Sequence, residues 1–196
     1  MSPRSGMRRD DDGPLVRRAV DGCVDSFAAL LARHQVPVAH FVRQTLGGCG
    51  ADVDDVVQEV FLRVHSRLAD YDHRWAFSTW LFTIARRCCL NHARTERRRR
   101  RRDVTAVRPE ATSADRDPQA VALVEDAATS LWSAARLVLT ERQFSALWLR
   151  YAEDLPVEEV AAVLECPVGT AKTLLFRARI RLASVVPAGW TAEGAR

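Results

Sequence analysis

The 196-residue chain carries 47% hydrophobic and 28% charged side chains, enough apolar material for packed cores and not the composition of a wholly disordered polymer. Its formal net charge is only +4, but nine arginines fall within the seventeen residues from Arg86 to Arg102, opposed by Glu96 alone. No stretch resembles a membrane span of about 18 apolar residues, and the first twenty residues lack the apolar run of a secretory signal. Five cysteines without a C-x-x-C pair do not form a disulfide framework, so a reducing, cytoplasmic setting is expected.

Residues 1–20, rich in Ser, Pro, Gly, Arg and Asp, are expected to form a flexible N-terminal segment. A helix should begin near Asp21 or Asp25 and turn Phe27, Leu30 and Leu31 inward. Pro37 should limit or kink it, and a second piece, 38–46, should stop at Gly47-Gly48. From Asp52 the run DVDDVVQEVFLRVHSRL places Val53, Val56, Val57, Val60, Phe61, Val64 and Leu68 at a helical period. Asp52 is the expected N-cap, and Asp55, Gln58, Glu59 and Arg63 face outward.

After a loop at 71–76, a helix from about Ala76 to Arg97 should bury Phe77, Trp80, Leu81, Ile84, Ala85 and Cys88. Thr79, Thr83, Arg86, Arg87, Asn91 and Arg94 lie away from that stripe or at its margins. The segment 103–120, with two prolines and no apolar period, reads as a flexible linker. It separates a helical unit at 21–102 from a second at 121–184, followed by a flexible tail at 185–196. The fold class is therefore all-α, two small helical domains.

Two arrangements point to nucleic acid. The pair 157–164 and 168–182, joined by a short turn, has helix-turn-helix proportions, and its second helix exposes Thr170, Lys172, Thr173, Phe176 and Arg177. Lysine and arginine suit phosphates and purine edges, and threonine suits a phosphate or a thymine methyl. Upstream, the arginine-rich helix follows Tyr71, Trp75, Phe77 and Trp80. Aromatic faces stack unpaired bases while arginines hold the backbone. Phe77 and Trp80 also suit plain core packing, which leaves Tyr71 and Trp75 as the freer stacking candidates. The five histidines form no H-E-x-x-H pattern and the glycines no phosphate loop, so neither catalysis, a metal nor a cofactor is expected. The cysteines read as small core fillers.

Three stretches in this order, DVDDVVQEVFLRVHSRL, FSTWLFTIARRCCLNHAR and LTERQFSALWLRYAEDLPVEEVAAVLECPVGTAKTLLFRARIRL, resemble the extracytoplasmic-function group of sigma-70 factors of bacterial RNA polymerase. The resemblance implies an alternative sigma factor that binds core polymerase and directs promoter recognition, DNA melting and transcription initiation. It implies that Asp55, Gln58, Glu59, Phe61 and Arg63 dock on the clamp of the largest polymerase subunit. Tyr71, Trp75, Thr79, Thr83, Arg86, Arg87, Asn91 and Arg94 would melt and read the minus-ten element on the non-template strand. Thr170, Lys172, Thr173, Phe176 and Arg177 would read the duplex minus-thirty-five element, with that domain also resting on the polymerase flap. An anti-sigma factor is a further implied partner; no membrane insertion is implied. The chain departs from the family at Arg87 and Asn91, where Asn and Asp are frequent, and at Thr173, Leu174 and Phe176 of the recognition helix. Two other readings use some of the same residues: an autonomous helix-turn-helix regulator, and a sigma-like protein that titrates a partner.

Overall fold

The computed structural model describes residues 12–47, 51–104 and 125–185, which are helical apart from short connections, with no strand among them. Eight α-helices follow in order: α1 Gly13–Val20, α2 Val24–Leu46, α3 Ala51–Ser66, α4 Phe77–Val104, α5 Glu125–Val138, α6 Glu141–Tyr151, α7 Val157–Val163 and α8 Val168–Ala183. The tail beyond 185 and most of the expected linker lie outside the described residues.

The first four helices share a core. Val53, Val56, Val60 and Val64 of α3 meet Leu30, Val38, Phe41 and Val42 of α2 and Leu81, Phe82, Ala85 and Cys88 of α4, all nearly inaccessible. Valine is a weak helix former, so this buried stripe, not propensity, holds α3. The helix begins at Ala51, which places Asp52 in its first turn beside Asp54 instead of at the cap; both still lie at the positive end of the helix dipole. Helix α4 is longer than its apolar stripe, running through the arginine cluster to Val104 and therefore into the first residues of the expected linker.

Pro37 lies inside α2, which passes through it as one helix of 23 residues. An interior proline costs about 3 kcal/mol. Burial of Val38, Phe41 and Val42 just beyond it offsets that cost, at about 1.5–3 kcal/mol for each apolar side chain. The helix ends at Gly47, whose φ of 77° is the left-handed C-cap conformation that glycine adopts without strain.

The segment expected to be flexible contains α1. Pro14 suits a first helical turn, and Val16 is completely buried. Asp12, at the α1 N-cap, anchors it to α2: Arg33 Nη1 donates to Oδ1 at 2.6 Å and His34 Nε2 lies 2.9 Å from Oδ2. His34 is itself buried and packs edge-on against Phe77. An eight-residue helix behind a run of five charged residues, Arg8 to Asp12, gives little periodic signal, and its anchor is a set of polar contacts that periodicity does not register.

In the second unit, Trp132 of α5 packs against Phe144 and Trp148 of α6. Thr140 caps α6 in a full capping box: its hydroxyl accepts from Gln143 N at 3.4 Å, and Gln143 Oε1 accepts from Thr140 N at 3.1 Å. The turn between α7 and α8 puts Glu165 at φ 51° and closes through Cys166 N donating to Ala161 O at 3.0 Å. Pro167 then starts α8, which buries Ala171, Leu175 and Ala178 against the unit.

Burial alone would raise the Asp12 carboxyl, but the hydrogen bonds and charges of His34 and Arg33 outweigh it and hold the group below its ordinary value of 3.8. A lowered carboxylate contributes stability that is present above the unfolded value and lost as pH falls through the folded one. Asp12→Asn is therefore expected to cost about 1–3 kcal/mol at neutral pH. The deficit relative to wild type should shrink below about pH 4, which urea unfolding followed across pH measures. An equal deficit at all pH values would contradict the anchoring role.

Candidate nucleic-acid and polymerase interfaces

On α3, Asp55 and Gln58 are exposed, while Glu59 and Arg63 are part-exposed and pair with each other at 2.5 Å. The i,i+4 spacing brings those two together and satisfies each charge locally. Phe61 is half-buried. It lines an apolar groove of about 660 Å³ between α2 and α3, together with Phe27, Leu31, Val57 and Leu62. Leu62 is 64% exposed at the edge of that groove. Periodicity passed over it because it stands off the buried stripe.

The loop before α4 is held by local hydrogen bonds. Asp72 Oδ1 accepts from Arg74 N at 3.0 Å, and the Arg74 side chain donates back to Asp72 at 2.6 Å, which holds the Asp72 carboxyl below its ordinary value. Tyr71, expected to be freer for stacking than Phe77 and Trp80, packs into the same aromatic cluster. Its hydroxyl donates to Trp75 O at 2.6 Å and its ring meets Phe77 edge-on and Trp80 at a tilt. Burial, then the carboxylates of Asp12, Asp72 and Glu159, raise its hydroxyl above the usual tyrosine value. Trp75 is the exposed ring, at 41%. It lines a polar cleft of about 550 Å³ with Arg17 and Gly13 of α1, Arg74 and Glu159.

On α4 the expected DNA-reading residues divide. Arg94 and Asn91 are exposed, Thr83 is half-buried and donates to Thr79 O at 2.9 Å. Thr79 and Arg86 were expected away from the core, yet they are only 2% and 7% exposed. The reason is not the apolar stripe but the second unit, which lies against them. The Thr79 hydroxyl donates to Glu159 of α7, Arg87 Nε donates to Glu165 Oε1 at 2.7 Å, and Arg86 Nε stands 3.6 Å from Glu141 Oε1. Arg136 of α5 completes the contact, donating through Nη1 to Gln44 O at 2.7 Å at the negative end of α2. The three glutamates carry no periodic signal of their own role, since each sits in an otherwise ordinary charged stretch.

Thr170, Lys172, Thr173, Phe176 and Arg177 are all exposed on α8. The Thr173 hydroxyl donates to Gly169 O at 2.9 Å, one turn back along the helix. Phe176 is 57% exposed and Ile180, one turn on, is 55% exposed, which makes an apolar strip on an otherwise basic face.

Among the described residues, no group of three or more His, Cys, Asp or Glu side chains is placed to hold a metal ion, and no helix is long and apolar enough to cross a membrane. Cys88 and Cys89 are buried, and burial pushes their thiols up to about 11 and about 12. Cys23 is lowered instead, by the hydroxyl and backbone N–H of Ser26, with Arg18 nearby.

Residues 30–99 match the family model for sigma-70 region 2, and residues 137–182 match that for sigma-70 region 4. The chain belongs to the extracytoplasmic-function sigma factors of the sigma-70 family. It is an alternative sigma factor, which binds core RNA polymerase and directs promoter recognition and transcription initiation. It is 33% identical over 175 residues to the ECF RNA polymerase sigma-E factor of Escherichia coli K12, covering 86% of this chain and 90% of that protein. It is 29% identical over 180 residues to the RNA polymerase sigma-H factor of Pseudomonas aeruginosa PAO1, covering 88% and 92%. Among solved structures, CnrH in complex with the cytosolic domain of CnrY superposes with a TM-score of 0.63 at 25% identity, covering 88% of this chain and 95% of that one. The sigma factor RpoE of Bartonella quintana, bound to the anti-sigma factor NepR, gives 0.60 at 24% identity, covering 82% and 96%.

Thiolate reacts and thiol does not, so the cysteines should separate by position. In native protein at pH 8, maleimide is expected to label Cys23 readily and Cys88 and Cys89 only after unfolding, as read by peptide mass spectrometry. Comparable labelling of all three would contradict the buried placement.

Proposed function

We propose that the first unit carries two working faces. The outward side of α3, with Asp55, Gln58, Glu59, Phe61 and Arg63 and the neighbouring Leu62, docks on the clamp of the largest polymerase subunit. The loop 71–76 and the outer side of α4 take the melted non-template strand of the minus-ten element. Trp75 supplies a stacking surface at the cleft, and Arg86, Arg87, Asn91 and Arg94 meet the backbone. The second unit reads the minus-thirty-five duplex through α8: Lys172 and Arg177 contact phosphate or purine edges, and Thr170, Thr173 and Phe176 contact backbone or thymine methyls. That unit also rests on the polymerase flap.

The observation that carries the reading is the pairing, on one small unit, of an acidic face edged by an apolar groove with a basic, aromatic-led helix. An autonomous duplex-binding regulator has no use for the first. The protein acts in the cytoplasm, has no catalytic role of its own and leaves RNA synthesis to the polymerase core. An anti-sigma factor is a natural partner, since CnrH and RpoE, which share this fold, were solved with CnrY and NepR.

Leu62→Asp tests the docking face. Because Leu62 is 64% exposed, the change should move stability by less than about 0.5 kcal/mol. Loss of a buried interface anchor should weaken binding to core polymerase about tenfold or more, as measured by fluorescence titration of labelled full-length protein. Unchanged affinity with unchanged folding would overturn the assignment of this face.

A further inference from the structure

We infer that the arginine-rich end of α4 grips the backbone of duplex DNA, meeting both strands just upstream of the melted minus-ten element. This inference extends the proposed function and rests on its assignment of the outer side of α4 to DNA.

The end of α4 packs against nothing. Cys89 is the last α4 residue in the buried core, yet the helix runs on to Val104. At 1.5 Å per residue the extension is about 22 Å long. From Arg94 to Asp103 every side chain is polar, and six consecutive residues are arginine. A helix that is polar all round gains nothing from an apolar face, and like charges three and four residues apart oppose it. Arg101 and Arg102 in the last turn favour the negative end of the helix dipole by only about 0.3–1 kcal/mol each. An extension that buries no apolar face and gathers repelling cations is organised for an anionic partner.

The arrangement of the arginines selects a duplex. Arg97, Arg98, Arg99, Arg101 and Arg102 are all exposed. At about 100° per residue, Arg98 and Arg101 lie within about 40° of Arg94 and so continue the outer line of the helix. Arg99 and Arg102 stand about 140° and about 80° round the axis from Arg94. A single strand laid along the outer line leaves those two with no phosphate to meet. A duplex has a backbone on each side of its major groove, which is about 12 Å wide, and a helix with its side chains is about 10–12 Å across. Seated in that groove, the helix end meets one backbone through Arg98 and Arg101 and the other through Arg99 and Arg102.

Connectivity says which stretch of DNA this is. Helix α4 follows the loop that carries the exposed ring of Trp75, proposed to stack on the melted strand. Its other end leads on through the chain to α5 and the unit proposed to take the duplex minus-thirty-five element. The arginine end therefore faces upstream, where the base pairs are still closed. Arginines on phosphates position DNA without reading its sequence, so this contact sets register and leaves recognition to the outer line of α4 and to α8.

The test uses the full chain in a Lys172→Ala/Arg177→Ala background, so that α8 does not mask the reading. Anisotropy across NaCl concentration follows two fluorescein-labelled probes of mixed sequence, a short DNA duplex and a single strand of the same length. Arg99→Gln/Arg102→Gln alters no residue of the proposed minus-ten face, and glutamine has arginine's helix propensity. On the duplex this variant should flatten the slope of log affinity against log salt by about 1.8, two phosphate contacts at about 0.9 each, and weaken binding about tenfold or more at low salt. Single-strand binding should change less than about threefold. Arg99→Lys/Arg102→Lys keeps both charges and should bind the duplex within about threefold of the parent, which separates lost charge from lost helix. Arg98→Gln/Arg101→Gln should weaken both probes. A parent that does not bind the duplex, or an Arg99→Gln/Arg102→Gln variant that matches the parent or loses both probes equally, would overturn the two-backbone grip and leave the minus-ten assignment standing. Arg94→Gln, on the outer line, should weaken the single strand about threefold or more. No loss there, together with none for Arg98→Gln/Arg101→Gln, would remove DNA from α4 altogether.

Discussion

The structure depends on a conflict within α4. One side of this helix must pack into the core through Leu81, Phe82, Ala85, Cys88 and Cys89, and the other gathers arginines at a density that needs anionic company. Like charges this close repel one another in water, and a polyanion or opposing carboxylates relieve them. The apolar side fixes the helix against α2 and α3, so the basic side cannot turn away. In the isolated chain, carboxylates of the second unit meet part of it. On the function proposed above, phosphates of promoter DNA take that role.

This placement also explains the division of labour along the chain. Helix α3 packs into the same core and presents carboxylates outward, so on the proposed function a protein partner and a nucleic-acid partner meet one unit on separate faces. Second-unit helices do two things at once: α8 holds its basic face outward, while α6 and α7 turn acids toward α4. A single compact unit with all its charges mixed would serve neither purpose, since specific recognition requires like charges to be grouped.

Much of this was legible in the sequence where burial follows a strict period. The valine stripe of α3, the apolar side of α4 and the helix-turn-helix proportions of α7 and α8 each arise from local pattern, and the family motifs lie on the same segments. What escaped was non-periodic. Helix α1 is held by the Asp12–Arg33–His34 contact, which joins residues more than twenty positions apart. The passage of α2 through Pro37 depends on packing that outweighs a local penalty. The covering of Thr79 and Arg86 is a long-range event: their partners lie 80 and 55 positions downstream, beyond anything a helical period encodes. The contacts of Tyr71 were hidden for a related reason, because only the folded loop brings its hydroxyl to the Trp75 carbonyl.

On the proposed function, docking to polymerase makes these two DNA surfaces work together. The most direct measurement is transcription by purified core polymerase with the full chain on a randomised promoter library, followed by sequencing of the products. Initiated RNA that depends on the chain and shares two conserved upstream elements at fixed spacing is the expected result. No chain-dependent product, with folded protein and an active core, would contradict it.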